Sequence, residues 1–215
     1  GSPSQALLDT FVSCRPVIET GYQNIPLLNM LLAGTSTEDI HANFDTLVPK
    51  FMTAEGLTNP ELEAMFGAAR DEWLAESEDD WLAAQGFYPG VPEAVNLVAE
   101  RAVIITTKQY RFAVELVKLA GINISADRVY VLEKLTNGKR GVLEDFLTAN
   151  QGATAHFFED RLATLNKMTD MPTLQRYLVD WGYNTPGERD AARDDKRIDV
   201  LDDAAFRSLL EGHAV

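Results

Sequence analysis

The sequence predicts an α/β protein in which a parallel sheet is layered with helices and preceded by an all-helical segment. Two observations carry this reading. From about residue 87 onward, short apolar runs alternate with helical patterns, as a parallel sheet with covered faces requires. Before about residue 86 no period-2 run occurs, and apolar residues recur at helical spacing. A chain of 215 residues that is 46% hydrophobic builds a substantial core, or one core plus a small accessory domain, and is no disordered acidic tail.

In the helical part, Leu7 to Cys14 forms a first helix with Phe11 and Val12 on its apolar side. Tyr22 to Leu32 follows and is ended by Gly34. Thr37 is the expected N-cap of a third helix, which Pro49 disturbs. Asn59-Pro60-Glu61 opens a fourth helix running to Leu74. It carries Leu62, Met65, Phe66, Ala69 and Trp73 on one face, read as core and not as a cofactor box. Asp79 and Asp80 precede a short segment with Trp81 and Leu82.

In the alternating part, strands are expected at 102–106, 128–132, 155–158 and 177–180, with a weaker one at 198–201. Helices are expected at 93–100, 109–119, 140–149, 161–168 and 203–211. Glu188 to Arg197 is a charge-rich loop or helix and reads most simply as a solvated face.

A formal charge of −14 and a pI near 4.6 oppose binding to nucleic acid and to anionic membranes. No apolar run is long enough to span a bilayer, and no signal peptide is read, so no membrane insertion is expected. A single cysteine, Cys14, excludes an intrachain disulfide and suits a reducing compartment. It has no neighbouring base and is not read as a nucleophile. His41, His156 and His213 share no metal-ligand spacing, and His156 at a strand start reads as a core or edge residue.

Four segments carry chemistry. In His156-Phe157-Phe158-Glu159-Asp160-Arg161, an apolar run ends in two adjacent carboxylates before a helix. At a strand's carboxyl end such a pair faces the crevice where open α/β sheets bind ligands. Either it holds a Mg²⁺ ion that relieves its repulsion, or it is a solvated acidic loop. Ala102 to Ile105 runs into Thr106-Thr107-Lys108 and a helix. A hydroxyl, backbone N–H groups and a helix N-terminus suit a phosphate; the alternative is that Thr106 or Thr107 caps the helix. Asn137-Gly138-Lys139 opens a helix and places one positive charge, over the same pocket or on the surface. Phe87-Tyr88-Pro89-Gly90-Val91-Pro92 is a sharp turn into a helix just before the first strand.

In this order the segments resemble the haloacid dehalogenase superfamily of phosphohydrolases. Tyr88-Pro89-Gly90-Val91 looks like the start of that family's Rossmann-like core. Arg15-Pro16-Val17-Ile18-Glu19-Thr20-Gly21-Tyr22, Thr106-Thr107-Lys108-Gln109, Phe158 to Leu165 and Asp180 to Thr185 are similar to a branch found in cyanobacteria, algae and plants. The resemblance implies a helical cap at 1–86 and a core at 87–215. It makes Thr106 the binder of the transferred phosphoryl group, with Thr107 beside it, and Lys139 the stabilising cation. Glu159 and Asp160 become the Mg²⁺ ligands. Arg15 and Glu19, in the cap, either touch substrate or pair with each other across one helical turn.

The family's first motif, an Asp-x-Asp whose first Asp is the nucleophile, is absent from the sequence. The family's sheet order makes the strand that would carry it the central one. The core therefore either lacks that strand or receives it from a segment outside these residues or from another chain. With the motif, the expected function is Mg²⁺-dependent hydrolysis of a small phosphorylated metabolite through an aspartyl-phosphate, in the cytoplasm or a chloroplast stroma. Without it, the expected protein is a pseudoenzyme: an inactive binding or structural subunit of a larger photosynthetic or plastid assembly.

Overall fold

The computed structural model describes residues 3–131 and 137–214. The chain divides into two compact units, Gly1–Ala84 and Gln85–Val215.

The described residues of the first unit form helices only: α1 (Gln5–Cys14), α2 (Asn24–Leu32), α3 (Thr37–Glu55), α4 (Asn59–Glu76) and α5 (Glu78–Ala83). Its core gathers Cys14, Leu27, Met30, Ile40, Phe44 and Val48 from α1, α2 and α3. The N-cap of α3 is Ser36, not Thr37; its hydroxyl accepts from the Asp39 N–H at 3.1 Å. Pro49 lies inside α3, which runs on to Glu55 and ends at Gly56 with φ +66°. Phe44 and Val48, buried just before the proline, hold the helix against the core despite the lost backbone hydrogen bond.

The apolar stripe of α4 is not core. Leu62 is fully buried, but Met65 is 49% and Trp73 43% exposed, and Ala69 is exposed too. The inward row is Leu62, Phe66 and Arg70. The Phe66 ring meets Gly21 so closely that a Cβ there would lie 2.6 Å from it, and the Arg70 guanidinium caps the ring at 4.0 Å. Because α4 packs on the short 3-10 turn Gly21–Gln23 and on α5, only one narrow row is covered.

The second unit is mixed α/β, and among the described residues its strands are all parallel. Its elements are α6 (Val91–Asn96), β1 (Ile104–Thr106), α7 (Tyr110–Leu119), β2 (Val129–Val131), α8 (Gly138–Ala149), β3 (Ala155–Glu159), α9 (Leu162–Asn166), β4 (Leu174–Val179), α10 (Pro186–Asp194), β5 (Ile198–Leu201) and α11 (Asp203–Gly212). β3, β4 and β5 form one parallel sheet in that order, and β1 pairs with β2 in another. Among the described residues β1 and β3 do not pair; each has a strand partner on one side.

Alternation along the strands sends side chains to opposite faces. On one face Phe157, Leu174, Leu178 and Ile198 pack with Leu143 of α8, Leu165 of α9 and Ala192 of α10. On the other, Phe158 and Leu201 pack with Ala94 of α6 and with Phe206 and Leu210 of α11. Ile105 of β1 joins the first of these cores, while Val129 and Val131 of β2 pack under α7 with Ala113.

Several boundaries differ from expectation. The expected helix 93–100 is α6 followed by a 3-10 turn at Ala99–Arg101, and the helix expected at 161–168 is the shorter α9. Residue 132 of the strand expected at 128–132 lies outside the described residues. β4 begins at Leu174, not at 177. Its start was masked in the sequence by Arg176, a charge in a buried strand. The fold satisfies that guanidinium through the Leu165 carbonyl at 3.0 Å and Asp195 at 3.8 Å. Of the loop or helix expected for the charge-rich stretch, residues 186–194 form the helix, and Ala192 is fully buried, so it is more than a solvated face.

α10 opens with a capping box. The Glu188 N–H donates to the Thr185 hydroxyl at 3.2 Å, and the Thr185 N–H donates to the Glu188 carboxylate at 2.8 Å. Thr185→Ala is expected to lower stability by about 1 kcal/mol. Urea denaturation measures it; an unchanged midpoint would show the cap to be redundant. Among the described residues, no helix is long and apolar enough to cross a membrane.

Candidate functional site

Three charged residues, Lys139, Glu159 and Asp160, meet where β3 ends. Glu159 is the last residue of β3 and shares the Phe157 face, which α8 covers. Gly138, at φ +59°, opens α8 and puts Lys139 in its first turn. The Lys139 Nζ lies 2.5 Å from the Glu159 Oε2, with 18% and 5% of the two side chains exposed. The Arg161 N–H donates to the Glu159 Oε1 at 3.3 Å. Burial raises the Glu159 pKa, Lys139 pulls it back, and Asp160 pushes it up again.

Asp160 is held by the loop that follows β4. The Tyr183 N–H donates to its Oδ2 at 3.0 Å. Gly182 lies against it so tightly that a Cβ there would sit 2.1 Å from the Asp160 Cβ. Asn184, 8% exposed, donates to the Asp160 carbonyl at 2.9 Å and to the Val179 carbonyl at 2.8 Å. Arg189 in turn donates to the Asn184 Oδ1 at 2.7 Å. The ends of β3 and β4 are thereby tied side by side, with one carboxylate turned to each: Glu159 to α8, Asp160 to the Tyr183 loop.

Aromatic side chains edge this loop. Trp181 packs on Phe206 at 5.4 Å and meets Tyr88 edge-on at 6.2 Å, so it is a packing residue. The Tyr88 phenol pKa is raised by burial and then by the charges of Tyr183 and Asp160, which places Tyr88 beside them.

Thr106 ends β1, and its hydroxyl accepts from the Lys108 N–H at 3.1 Å. That bond closes a local turn. The N-cap of α7 is Gln109, so neither Thr106 nor Thr107 caps that helix; both are half-buried. The adjacent Ile105 packs in the core shared by α8 and β3.

Arg15 and Glu19 belong to the helical unit. Arg15 opens a 3-10 turn, Arg15–Val17, with Pro16 in it, and Ile18 is extended at ψ 125°. The two residues are therefore not on one α-helical turn, and the spacing argument for their pairing does not hold. The Glu19 backbone N–H donates to the Gln23 Oε1 at 2.7 Å.

Sequence spacing also missed a pair. His156 and His213, far apart along the chain, stack obliquely with ring centres 4.6 Å apart. The available signal was alternation: His156 shares the Phe158 face, which α11 covers, and His213 directly follows α11.

Among the described residues no three His, Cys, Asp or Glu side chains group as a metal site. A groove of about 290 Å³ lined by Val114, Val117, Ile122, Ile124 and Val129 opens at the amino end of the β1–β2 pair, opposite Thr106, and brings no titratable cluster to the site. No protein-family model, curated protein or solved structure matches the chain.

Proposed function

We propose that this chain is a haloacid-dehalogenase-like protein whose site binds a phosphoryl group of a small metabolite in a soluble compartment, cytoplasm or stroma. The observation that carries the reading is the Lys139–Glu159 pair beside Asp160 at the end of a parallel strand. Glu159 holds the ammonium in one place, so the charge is preorganised for an anion. The Thr106 hydroxyl and the backbone N–H groups of its turn would serve phosphoryl oxygens, with Thr107 beside them.

The donors fit a hard divalent cation. The Tyr183 N–H engages the Asp160 Oδ2, and the Asp160 side chain also lies within hydrogen-bond reach of Glu159, a carboxylate neighbour whose repulsion a divalent cation would relieve. Mg²⁺ is commonly held by one or two carboxylates plus phosphate oxygens. Asp160, with Glu159 next to it, would hold that ion, and Glu159 doubles as the anchor of Lys139. When bound, Mg²⁺ would neutralise phosphate charge.

Hydrolysis through an aspartyl-phosphate needs a nucleophile that this sequence does not contain, since it has no Asp-x-Asp. Among the described residues β1 and β3 do not pair, and under this reading a further strand, from another segment or chain, would lie between them. The second reading is an inactive binding or structural subunit, favoured by the close neutralisation of Lys139 by Glu159.

Calorimetric titration of inorganic phosphate with Mg²⁺ tests the site. Binding is expected, weakened roughly tenfold in Thr106→Val and in Asp160→Asn, as for loss of a hydrogen bond to a charged group. No saturable binding, or binding indifferent to both substitutions, overturns the reading. Aryl phosphate turnover separates its two forms. None is expected from these residues alone; turnover lost in Asp160→Asn would place the nucleophile in this chain and retire the inactive form.

A further inference from the structure

We propose that His156 and His213 form a transition-metal site that clips the carboxyl end of α11 to β3 through one zinc-class divalent ion. The site is independent of the phosphate reading. His156 faces the opposite side of the sheet from Glu159, near the amino end of the same strand.

Ring placement fits chelation. Zn–N bonds are about 2.0–2.1 Å. Two imidazoles sharing one ion at roughly 90° to 110° then have ring centres roughly 4.5–5.2 Å apart. The observed separation is 4.6 Å, and the planes are inclined by 58°, so the rings are not stacked flat on each other.

The surroundings present the right nitrogen. The Tyr177 hydroxyl lies 2.9 Å from the His156 Nδ1, and the Tyr177 ring stacks alongside the imidazole with centres 5.7 Å apart. With Nδ1–H donating to that oxygen, the Nε2 lone pair is left for a metal, the usual arrangement of a ligating histidine. His213 is fixed by its backbone: its N–H donates to the Leu210 carbonyl at 3.1 Å, and its carbonyl accepts from Arg101. His213 is exposed, so water can complete the coordination shell. Asp199 lies opposite Tyr177 in the sheet and adds a negative charge near the site.

Two neutral imidazoles select zinc, nickel or copper(II) over magnesium or calcium. The ion would fasten the helix whose Phe206 and Leu210 cover one face of the sheet.

Calorimetric titration of the full chain with Zn²⁺ tests this. One ion per chain with micromolar affinity and a rise in Tm are expected at about pH 7.5, with affinity lost well below the histidine range near 6.5. His213→Asn should abolish binding with the fold intact by circular dichroism, because the residue is exposed. Tyr177→Phe keeps both rings and should weaken binding roughly 10-fold or more. Unchanged Zn²⁺ affinity in His213→Asn overturns the proposal. So do loss of binding in Cys14→Ser with retention in His213→Asn, equal affinity for Mg²⁺, and no saturable Zn²⁺ binding below millimolar concentration. Should His156→Gln fail to fold, the His213 and Tyr177 variants still decide.

Discussion

Lys139→Met is expected to cost about 3–5 kcal/mol at neutral pH, the usual penalty for removing one partner of a buried ion pair. Glu159 is 7% exposed, so its carboxylate would be left in a dry site next to Asp160. The loss should depend on pH with a definite sign. Burial and Asp160 raise the Glu159 pKa, and without Lys139 nothing at the ion-pair contact opposes them. A carboxyl whose folded pKa is raised binds its proton more tightly when folded. The defect is therefore full above the raised pKa and shrinks as pH falls through it toward the ordinary value of 4.5. Lys139→Met with Glu159→Met should recover most of the stability, because both charges leave together. Urea midpoints measured across the acid range check this. A pH-independent loss, or a double variant as weak as the single, would show that the pair does not act as a buried charge couple.

Gly182→Ala should lower stability by about 3 kcal/mol, at the upper end of ordinary overpacking. The added Cβ would lie 2.1 Å from the Asp160 Cβ, 2.8 Å from its Oδ2 and 2.9 Å from its Cγ. These atoms sit close to the backbone, so a flexible tip cannot swing away. Either the loop after β4 moves or the end of β3 does, and the Tyr183–Asp160 hydrogen bond is strained with it. Adding Asp160→Gly removes the colliding atoms and should restore part of the loss, a coupling that distant sites do not show. Thermal unfolding of the two single variants and the double decides it. Strict additivity would mean that the two residues do not meet.

Much of the candidate site was legible for local reasons. Phe157-Phe158 followed by Glu159-Asp160 announces a strand with charges at its end, and the parallel sheet puts that end beside the end of β4. Lys139 was visible only as a lone cation opening a helix; its 2.5 Å contact with Glu159 required α8 to lie over the Phe157 face. Gly182 and Asn184 were visible only as part of the Asp180–Thr185 segment; that one leaves room for Asp160 and the other bridges two strand ends required the fold.

The sequence by itself determined the α/β class, the parallel sense of the strands and the helical nature of the first unit, because periods of 2 and 3.6 residues are written locally in every element. Only the tertiary structure decided which neighbours those elements meet. It buried Arg176 by supplying a carbonyl and a carboxylate, left Trp73 exposed by giving α4 a narrow partner, and brought His213 onto His156 by laying α11 across the sheet. Such pairings join residues distant along the chain. They depend on which faces cover one another, and no local period encodes that.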